Sequence, residues 1–242
     1  MPFPAGAKLL IMDDPAALAR AAADHLLAWA TSNEGPVRIA LSGGSTPRRT
    51  YQELAGPRLV SRFPWPRVHW FWGDERFVPP DHPDSNFRMV REAMLDDAPV
   101  PPANIHAIPT VGLSPEDAAA AYEAELRHAY GQAELAANRP LFHVSLLGLG
   151  EDGHTASLLP GEPALAERTR WVATVAHGRP ETRITLTYPA IDSSRHIAFL
   201  VSGVGKRKIL RAVLAGGSDA PAAGIQPSGD VVFIADRAAA GP

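Results

Sequence analysis

Short apolar runs alternate along the chain with longer stretches in which apolar residues recur every three or four positions. The short runs, rich in Val, Ile and aromatic residues, predict strands; the longer periodic stretches predict helices with one buried face. Strands are expected at residues 37–41, 68–72, 143–148, 171–176, 183–188, 196–202 and 231–235. Asp13-Asp14-Pro15 reads as a helix start, with an acidic cap and proline in the first turn. Leu18, Ala22, Leu26 and Trp29 keep helical spacing up to a stop near Asn33-Glu34-Gly35-Pro36. A second helix opens at Ser42-Gly43-Gly44-Ser45-Thr46-Pro47 and runs through Leu54, with Thr46 as its cap. Further helices are expected from near Ser85, from Ser114-Pro115-Glu116 to about Leu135, and at about 205–214.

This alternation predicts an α/β fold: an open, mostly parallel, Rossmann-like sheet with helices on both faces. A chain of 242 residues suits one such domain spanning residues 1–242, and 45% hydrophobic residues suffice for a sizeable core. No internal repeat or low-complexity linker divides it. Proline clusters such as Pro99-Val100-Pro101-Pro102 read as ordered turns.

Composition then removes whole classes of function. The net charge of −3 gives no reason to expect nucleic acid or an anionic membrane as partner. Cysteine is absent, which excludes disulfides, thiolate metal sites and a cysteine nucleophile. The N-terminus lacks a basic segment followed by a long apolar one, and no apolar run approaches the roughly 20 residues that span a bilayer. The expectation is a soluble cytoplasmic protein, monomeric or a small homo-oligomer.

Four segments carry candidate chemistry. Asp152-Gly153-His154-Thr155 follows the apolar run 144–150, so His154 is displayed where a buried strand leaves the sheet. An imidazole titrates near neutral pH, and the adjacent Asp152 can orient it or support its cation. The bland alternative is a histidine satisfied by backbone in a turn. In Ser42-Gly43-Gly44-Ser45-Thr46-Pro47, glycines allow close backbone approach, and a helix N-terminus attracts phosphate. An ordinary glycine turn with a good cap has the same letters, and the lysine of a nucleotide P-loop is missing. Gly73-Asp74-Glu75-Arg76 puts carboxylates and a guanidinium at a strand end, suited to sugar hydroxyls and to a phosphate or oxyanion. A solvated strand end with a local ion pair is its bland reading.

In Ser202-Gly203-Val204-Gly205-Lys206, a lysine sits in the first turn of a helix, where its charge opposes the dipole. That is tolerable on a solvated surface or beside an anion, and so suggests phosphate. Arg183, opening a strand, is less specific. Residues 148–153 match the dinucleotide fingerprint G-x-G-x-x-G. Pro160 would cut the following helix short, however, and no acidic residue ends the next strand, so nicotinamide binding is rejected. His25, His128 and His196 read as helix-face or strand histidines. No histidine cluster with metal spacing and no G-x-S-x-G elbow is present.

In combination these segments resemble the glucosamine-6-phosphate isomerase/6-phosphogluconolactonase family. The resemblance is carried by residues 41–47, Trp72 to Pro79 with Ser85-Asn86, Leu147 to Leu158, Arg183 to Thr187, and Ser202-Gly203 with Lys206. It implies a sheet of the sugar-phosphate isomerase type and hydrolysis of 6-phosphogluconolactone in the pentose phosphate pathway, with no cofactor and no metal. It also implies that Gly43, Gly44, Ser45, Thr46, Arg76 and Lys206 lie on the phosphate side, with Arg183 as a further substrate contact. His154 matches the catalytic histidine; Asp152 and Asp74 are expected to assist it, Asp74 through sugar hydroxyls. The family's deaminases carry a glutamate five residues after the histidine, where this chain has Leu159, and tyrosine where it has Arg76. Both departures favour the lactonase. A sugar-phosphate isomerase or deaminase, and a non-catalytic sugar-phosphate-binding protein, remain the alternatives.

Overall fold

The computed structural model describes residues 6–216 and 218–241. Seven strands form a parallel sheet in the order β1-β10-β9-β6-β2-β3-β5. They are β1 (Lys8–Met12), β2 (Val37–Leu41), β3 (Val68–Trp72), β5 (Ile105–His106), β6 (Phe142–Gly148), β9 (Ser194–Val201) and β10 (Asp230–Asp236). The helices are α1 (Pro15–Thr31), α2 (Ser45–Ala55), α3 (Asn86–Val90), α4 (Pro115–Tyr130), α5 (Tyr188–Asp192), α6 (Arg207–Ala215) and α7 (Arg237–Ala240). The expected α/β architecture is therefore present.

The helix signals act as the sequence suggests. Asp14 caps α1 by accepting the Ala17 N–H at 2.7 Å, and Leu18, Ala22 and Leu26 are buried on its inner face. Ser114 caps α4, but that helix stops at Tyr130 rather than near Leu135. Gly131 adopts φ 79°, and its N–H bonds to the carbonyls of Arg127 and His128.

One grouping differs from expectation. The segments near 171–176 and 183–188 do not extend the main sheet. They form β7 (Val172–Val175) and β8 (Arg183–Leu186), an antiparallel hairpin that joins β4 (Asp74–Arg76) in a separate three-stranded sheet ordered β4-β8-β7. The connection of only seven residues allows a hairpin, whereas a parallel return needs a crossover of a dozen residues or more. The edge strands β1 and β5 are not among the expected strands: β5 is only two residues long, while the apolar run Leu9 to Met12 of β1 is one that the sequence reading misses.

Chain order reverses between β2 and β6: β3 and β5 lie on one side of this pair, β9, β10 and β1 on the other. Such a switch point opens a crevice at the carboxyl ends of the strands. Two buried tyrosines anchor its floor. Tyr51 of α2 accepts the Ser42 N–H at 3.0 Å and donates to the Ser42 carbonyl at 2.7 Å. Tyr122 of α4 does the same for Trp72, at 2.8 and 2.9 Å. Burial raises the pKa of both phenols, so they stay neutral and keep their donor hydrogens.

Candidate active site

A cleft of about 280 Å³ lies over the carboxyl ends of β2, β3, β6 and β9. Its wall includes Gly43, Gly44, Ser45, Thr46, Asp74, Arg76, His154, Arg183 and Lys206. All ten residues singled out from the sequence except Asp152 thus border one cavity, and Asp152 stands directly behind His154.

The segment after β2 forms one wall. Gly44, at φ 106°, is the N-cap of α2 and makes no side-chain cap bond. Thr46 is therefore not the cap, contrary to the sequence reading; it lies inside the first turn. The Arg48 N–H makes the first intrahelical bond, to the Gly44 carbonyl at 3.1 Å. The N–H groups of Ser45 and Thr46 precede that bond, so the positive end of the helix is presented to the cleft.

Gly73, immediately after β3, turns the chain out of the main sheet and into β4. Asp74 is 6% exposed and is gripped from two sides: Ser157 Oγ donates to Oδ2 at 2.7 Å, and Asn86 Nδ2 approaches Oδ1 at 3.4 Å. Glu75 points the other way and is 2% exposed. Its carboxylate accepts the backbone N–H groups of Arg76, Asn86 and Phe87 and the Ser85 hydroxyl, at 2.7–3.1 Å. Burial raises its pKa, and the three backbone donors oppose that rise. Only one carboxylate of the pair therefore faces the cleft; the other ties α3 to β4.

Arg76 donates through Nη1 to the Asp84 carbonyl at 2.7 Å and to Asn86 Oδ1 at 3.1 Å. It stands opposite Arg183 in the β4–β8 register. The Nε of each guanidinium is buried without a hydrogen-bond partner. Burial lowers the pKa of Arg183; the charges of Arg76 and Arg179 add to this, and Asp74 counteracts it. Two apposed cations with spare donors form a site that an anion would complete.

His154 follows β6 in the turn 150–154. Its ring is seated over Gly150, where an added Cβ would lie 2.0 Å from Nδ1. Nδ1 is 2.5 Å from Asp152 Oδ1, and the same oxygen accepts the His154 N–H at 3.1 Å. A carboxylate can only accept, so Nδ1 carries a proton, and in the neutral ring Nε2 is the bare nitrogen. Burial pushes the Asp152 pKa up, but the bonds from His154 and the nearby Arg179 charge outweigh it and hold the carboxyl below its usual range. Leu159, five residues after His154, is 3% exposed within the core.

Lys206 reaches the cleft from the start of α6. The turn before it is held by Asp236, which accepts from the Ser202 hydroxyl at 2.5 Å and from the Gly203 N–H at 3.1 Å. The sequence reading assigns no role to Asn86, Ser157, Asp236 or Arg179. An acidic residue closing the last strand before Arg237-Ala238-Ala239 carries a cap signature that points to Asp236. The others become visible only when separate segments meet. Among the described residues, no group of three or more His, Asp or Glu side chains is placed to hold a metal ion.

Residues 13–234 match the family of glucosamine-6-phosphate isomerases/6-phosphogluconolactonase. The chain belongs to this family. It is 45% identical over 213 residues to 6-phosphogluconolactonase of Synechocystis sp., covering 87% of this chain and 86% of that protein. With 6-phosphogluconolactonase of Nostoc sp. it shares 42% identity over 235 residues, 95% of each chain. Among solved family structures, 6-phosphogluconolactonase from Trypanosoma brucei superimposes with a TM-score of 0.84 at 30% identity, covering 97% of both chains. A monomeric glucosamine-6-phosphate deaminase, 22% identical with a TM-score of 0.81, covering 96% of this chain and 98% of its own, shares the fold. Among the described residues, no helix of this family member is long and apolar enough to cross a membrane.

Proposed function

We propose that the chain hydrolyses 6-phospho-D-glucono-1,5-lactone to 6-phospho-D-gluconate in the pentose phosphate pathway, with His154 as general base. The observation that carries this reading is a histidine with Nδ1 committed to Asp152 and Nε2 free, in the same small cleft as Lys206, Arg76 and Arg183. The cleft lies near the low end of the ~300–1,000 Å³ found for ligand pockets, which suits one phosphorylated sugar ring. The naming of relatives at 42–45% identity as 6-phosphogluconolactonase supports the substrate.

In this mechanism Nε2 takes a proton as water attacks the lactone carbonyl carbon C1. Negative charge develops on the carbonyl oxygen, where the cations of the cleft stabilise it. The tetrahedral intermediate then collapses, the bond from C1 to the ring oxygen breaks, and the imidazolium returns its proton to that oxygen. The carboxylic acid product releases a proton to solvent. Asp152 stabilises the imidazolium formed in between, and Asp74 accepts hydrogen bonds from sugar hydroxyls. The helix end at Ser45 and Thr46, with Lys206, holds the phosphate far from C1, where binding energy orients the ring. We place the reaction in the cytoplasm, with the chain acting as a monomer or small homo-oligomer and needing no cofactor.

The test follows proton release from freshly prepared lactone, with and without the protein and in the presence of EDTA. Acceleration that survives chelation is expected. His154→Gln should lower kcat by about 10²- to 10⁴-fold with KM within a few-fold. Near-native turnover by that variant would remove His154 from the chemistry, and ammonia release from glucosamine 6-phosphate would replace the lactonase by a deaminase.

A further inference from the structure

The turn joining β7 to β8 brings Arg179 to the back of the His154–Asp152 pair. Its Nη2 lies 2.9 Å from Asp152 Oδ2 and 3.3 Å from His154 Nδ1. The Asp152 carboxylate is thereby divided, with Oδ1 serving the histidine and Oδ2 the guanidinium. Arg179 is not part of the cleft wall, and about two-thirds of its side chain is covered. Gly178, at φ 74°, supplies the left-handed backbone of the turn before it, and the fixed φ of Pro180 restricts the chain after it.

A guanidinium only donates hydrogen bonds, and the Nδ1 proton is already directed at Oδ1. The approach of Nη2 to Nδ1 is therefore an electrostatic contact between a fixed cation and a ring that can become one. Asp152 alone would favour the imidazolium and place a proton on Nε2, the atom that must be bare to act as base. A positive charge on the far oxygen opposes this. It also lowers the carboxylate's own affinity for the Nδ1 proton, so the tautomer with Nε2 bare is retained.

We propose that Arg179 is a positioning residue for the hydrolysis: through Asp152 it fixes the tautomer of His154 and restrains the basicity of Nε2. This rests on the reading of His154 as general base given above.

Other charged or titratable groups of this region are Glu151 on the same turn, Asp74 and Arg76 of β4, Arg183 of β8 with Glu181 acting on it, Lys206 before α6, His177 on the β7–β8 turn, and Glu162, whose Oε1 lies 3.6 Å from where a Cβ at Gly178 would sit. Glu151 is turned toward Gly205, and Asp74 is engaged by Ser157 and Asn86. Among the described residues, the hydrogen bonds to the Asp152 carboxylate come from His154 and Arg179 alone. Arg179 is thus the cation that acts on the pair through a direct bond.

The test compares native protein, Arg179→Met and Arg179→Lys by proton NMR titration of the His154 ring, whose signal is assigned by its loss in His154→Gln. A unit charge at ~4 Å with solvent access moves a titration by roughly 0.7 pH unit. In Arg179→Met the His154 midpoint should rise by about half to one pH unit. The acid limb of kcat/KM should move with it, so the loss of activity is greatest on the acid side of the profile and fades as the pH rises. Arg179→Lys should recover at least half of both shifts.

A native midpoint and acid limb in Arg179→Met, with kcat merely reduced, would make Arg179 a brace for the turn and overturn the inference. A higher KM with an unmoved titration would overturn it too, by making Arg179 a substrate contact. These outcomes are separate from failure of the parent reading, which shows as full activity in His154→Gln whatever Arg179 does.

Discussion

Arg76 and Arg183 face each other across the β4–β8 ladder, each with a buried Nε that bonds to nothing. Like charges directly opposite in a ladder cost about 0.2–1 kcal/mol, and buried donors without partners add to that cost. An arrangement that is unfavourable alone and favourable with a bound anion trades stability for binding.

Replacing one of the two should therefore separate stability from affinity. Arg183→Met should raise the Tm of the free protein by about 1–3 °C, from relief of repulsion. The same variant should bind 6-phosphogluconate at least about tenfold more weakly, a loss of ~1.4 kcal/mol. Thermal melting with and without the product measures both. An undiminished stabilisation by product would show that Arg183 makes no contact with it.

Lys206 is assigned to the phosphate, so its effect should depend on the phosphate. Lys206→Ala should reduce kcat/KM for the phosphorylated lactone by about 10²-fold, the scale of a lost charge-assisted contact, and leave unphosphorylated gluconolactone nearly unchanged. Equal losses on the two substrates would assign Lys206 to the structure of the turn.

Gly43 makes room for Asn86. A Cβ at position 43 would lie 1.9 Å from Asn86 Oδ1, and Asn86 in turn donates to the Asp74 carbonyl at 2.9 Å and accepts from Arg76. Gly43→Ala should displace this amide and cost roughly 1–3 kcal/mol, because the groups it satisfies are buried. Urea denaturation would register the cost, with kcat/KM falling in the same variant. A native midpoint would mean that Asn86 swings aside freely.

At the other end of the sheet, burial holds His143 neutral and lowers its pKa to about 4, with Arg38, Arg195 and His196 adding to the effect. Its Nδ1 accepts the Arg38 N–H at 3.0 Å, which requires the unprotonated atom. The unfolded chain takes up this proton near pH 6.5, the folded one only near pH 4. The contribution of His143 to stability is therefore complete above about pH 6.5 and is lost progressively toward pH 4, by up to ~2 kcal/mol after allowance for its partial exposure. His143→Gln, which can still accept the N–H, should flatten the stability profile in that window by close to one proton. An unaltered slope in urea titrations at pH 4.5 and 7.5 would assign the acid lability to His25, His69 and His196, which burial shifts in the same direction.

Much of the architecture was legible from local chemistry. The runs at 37–41, 68–72 and 143–148 became central parallel strands, because strands covered on both faces read as near-continuous apolar runs, interrupted here by Arg38, His69, His143 and Ser145. Asp14, Ser114 and the glycines after β2 and β6 marked their turns and caps, since each acts on backbone groups within a few residues. His154, Lys206 and the Asp74 segment stood out because each follows the end of an apolar strand, and the structure brings all three to one cleft.

Pairing across distance was not legible. The hairpin β7–β8 reads like any other pair of apolar runs, and nothing local says that it leaves the main sheet to put Arg183 opposite Arg76. Glu75 and Asp74 are neighbours of the same type, yet the alternation of side chains along β4 sends one to the cleft and the other to cap α3. Arg179 lies 25 positions from His154 in a turn without periodicity, and only the closure of that turn over residues 150–154 makes them partners.

What the sequence determined by itself is the order and type of the elements and the residues able to do chemistry, because those depend on contacts made within a turn or a strand. The tertiary structure alone decided which charges share one enclosure, and so which histidine nitrogen is left bare. Electrostatic coupling falls with separation in space, and separation along the chain does not fix it.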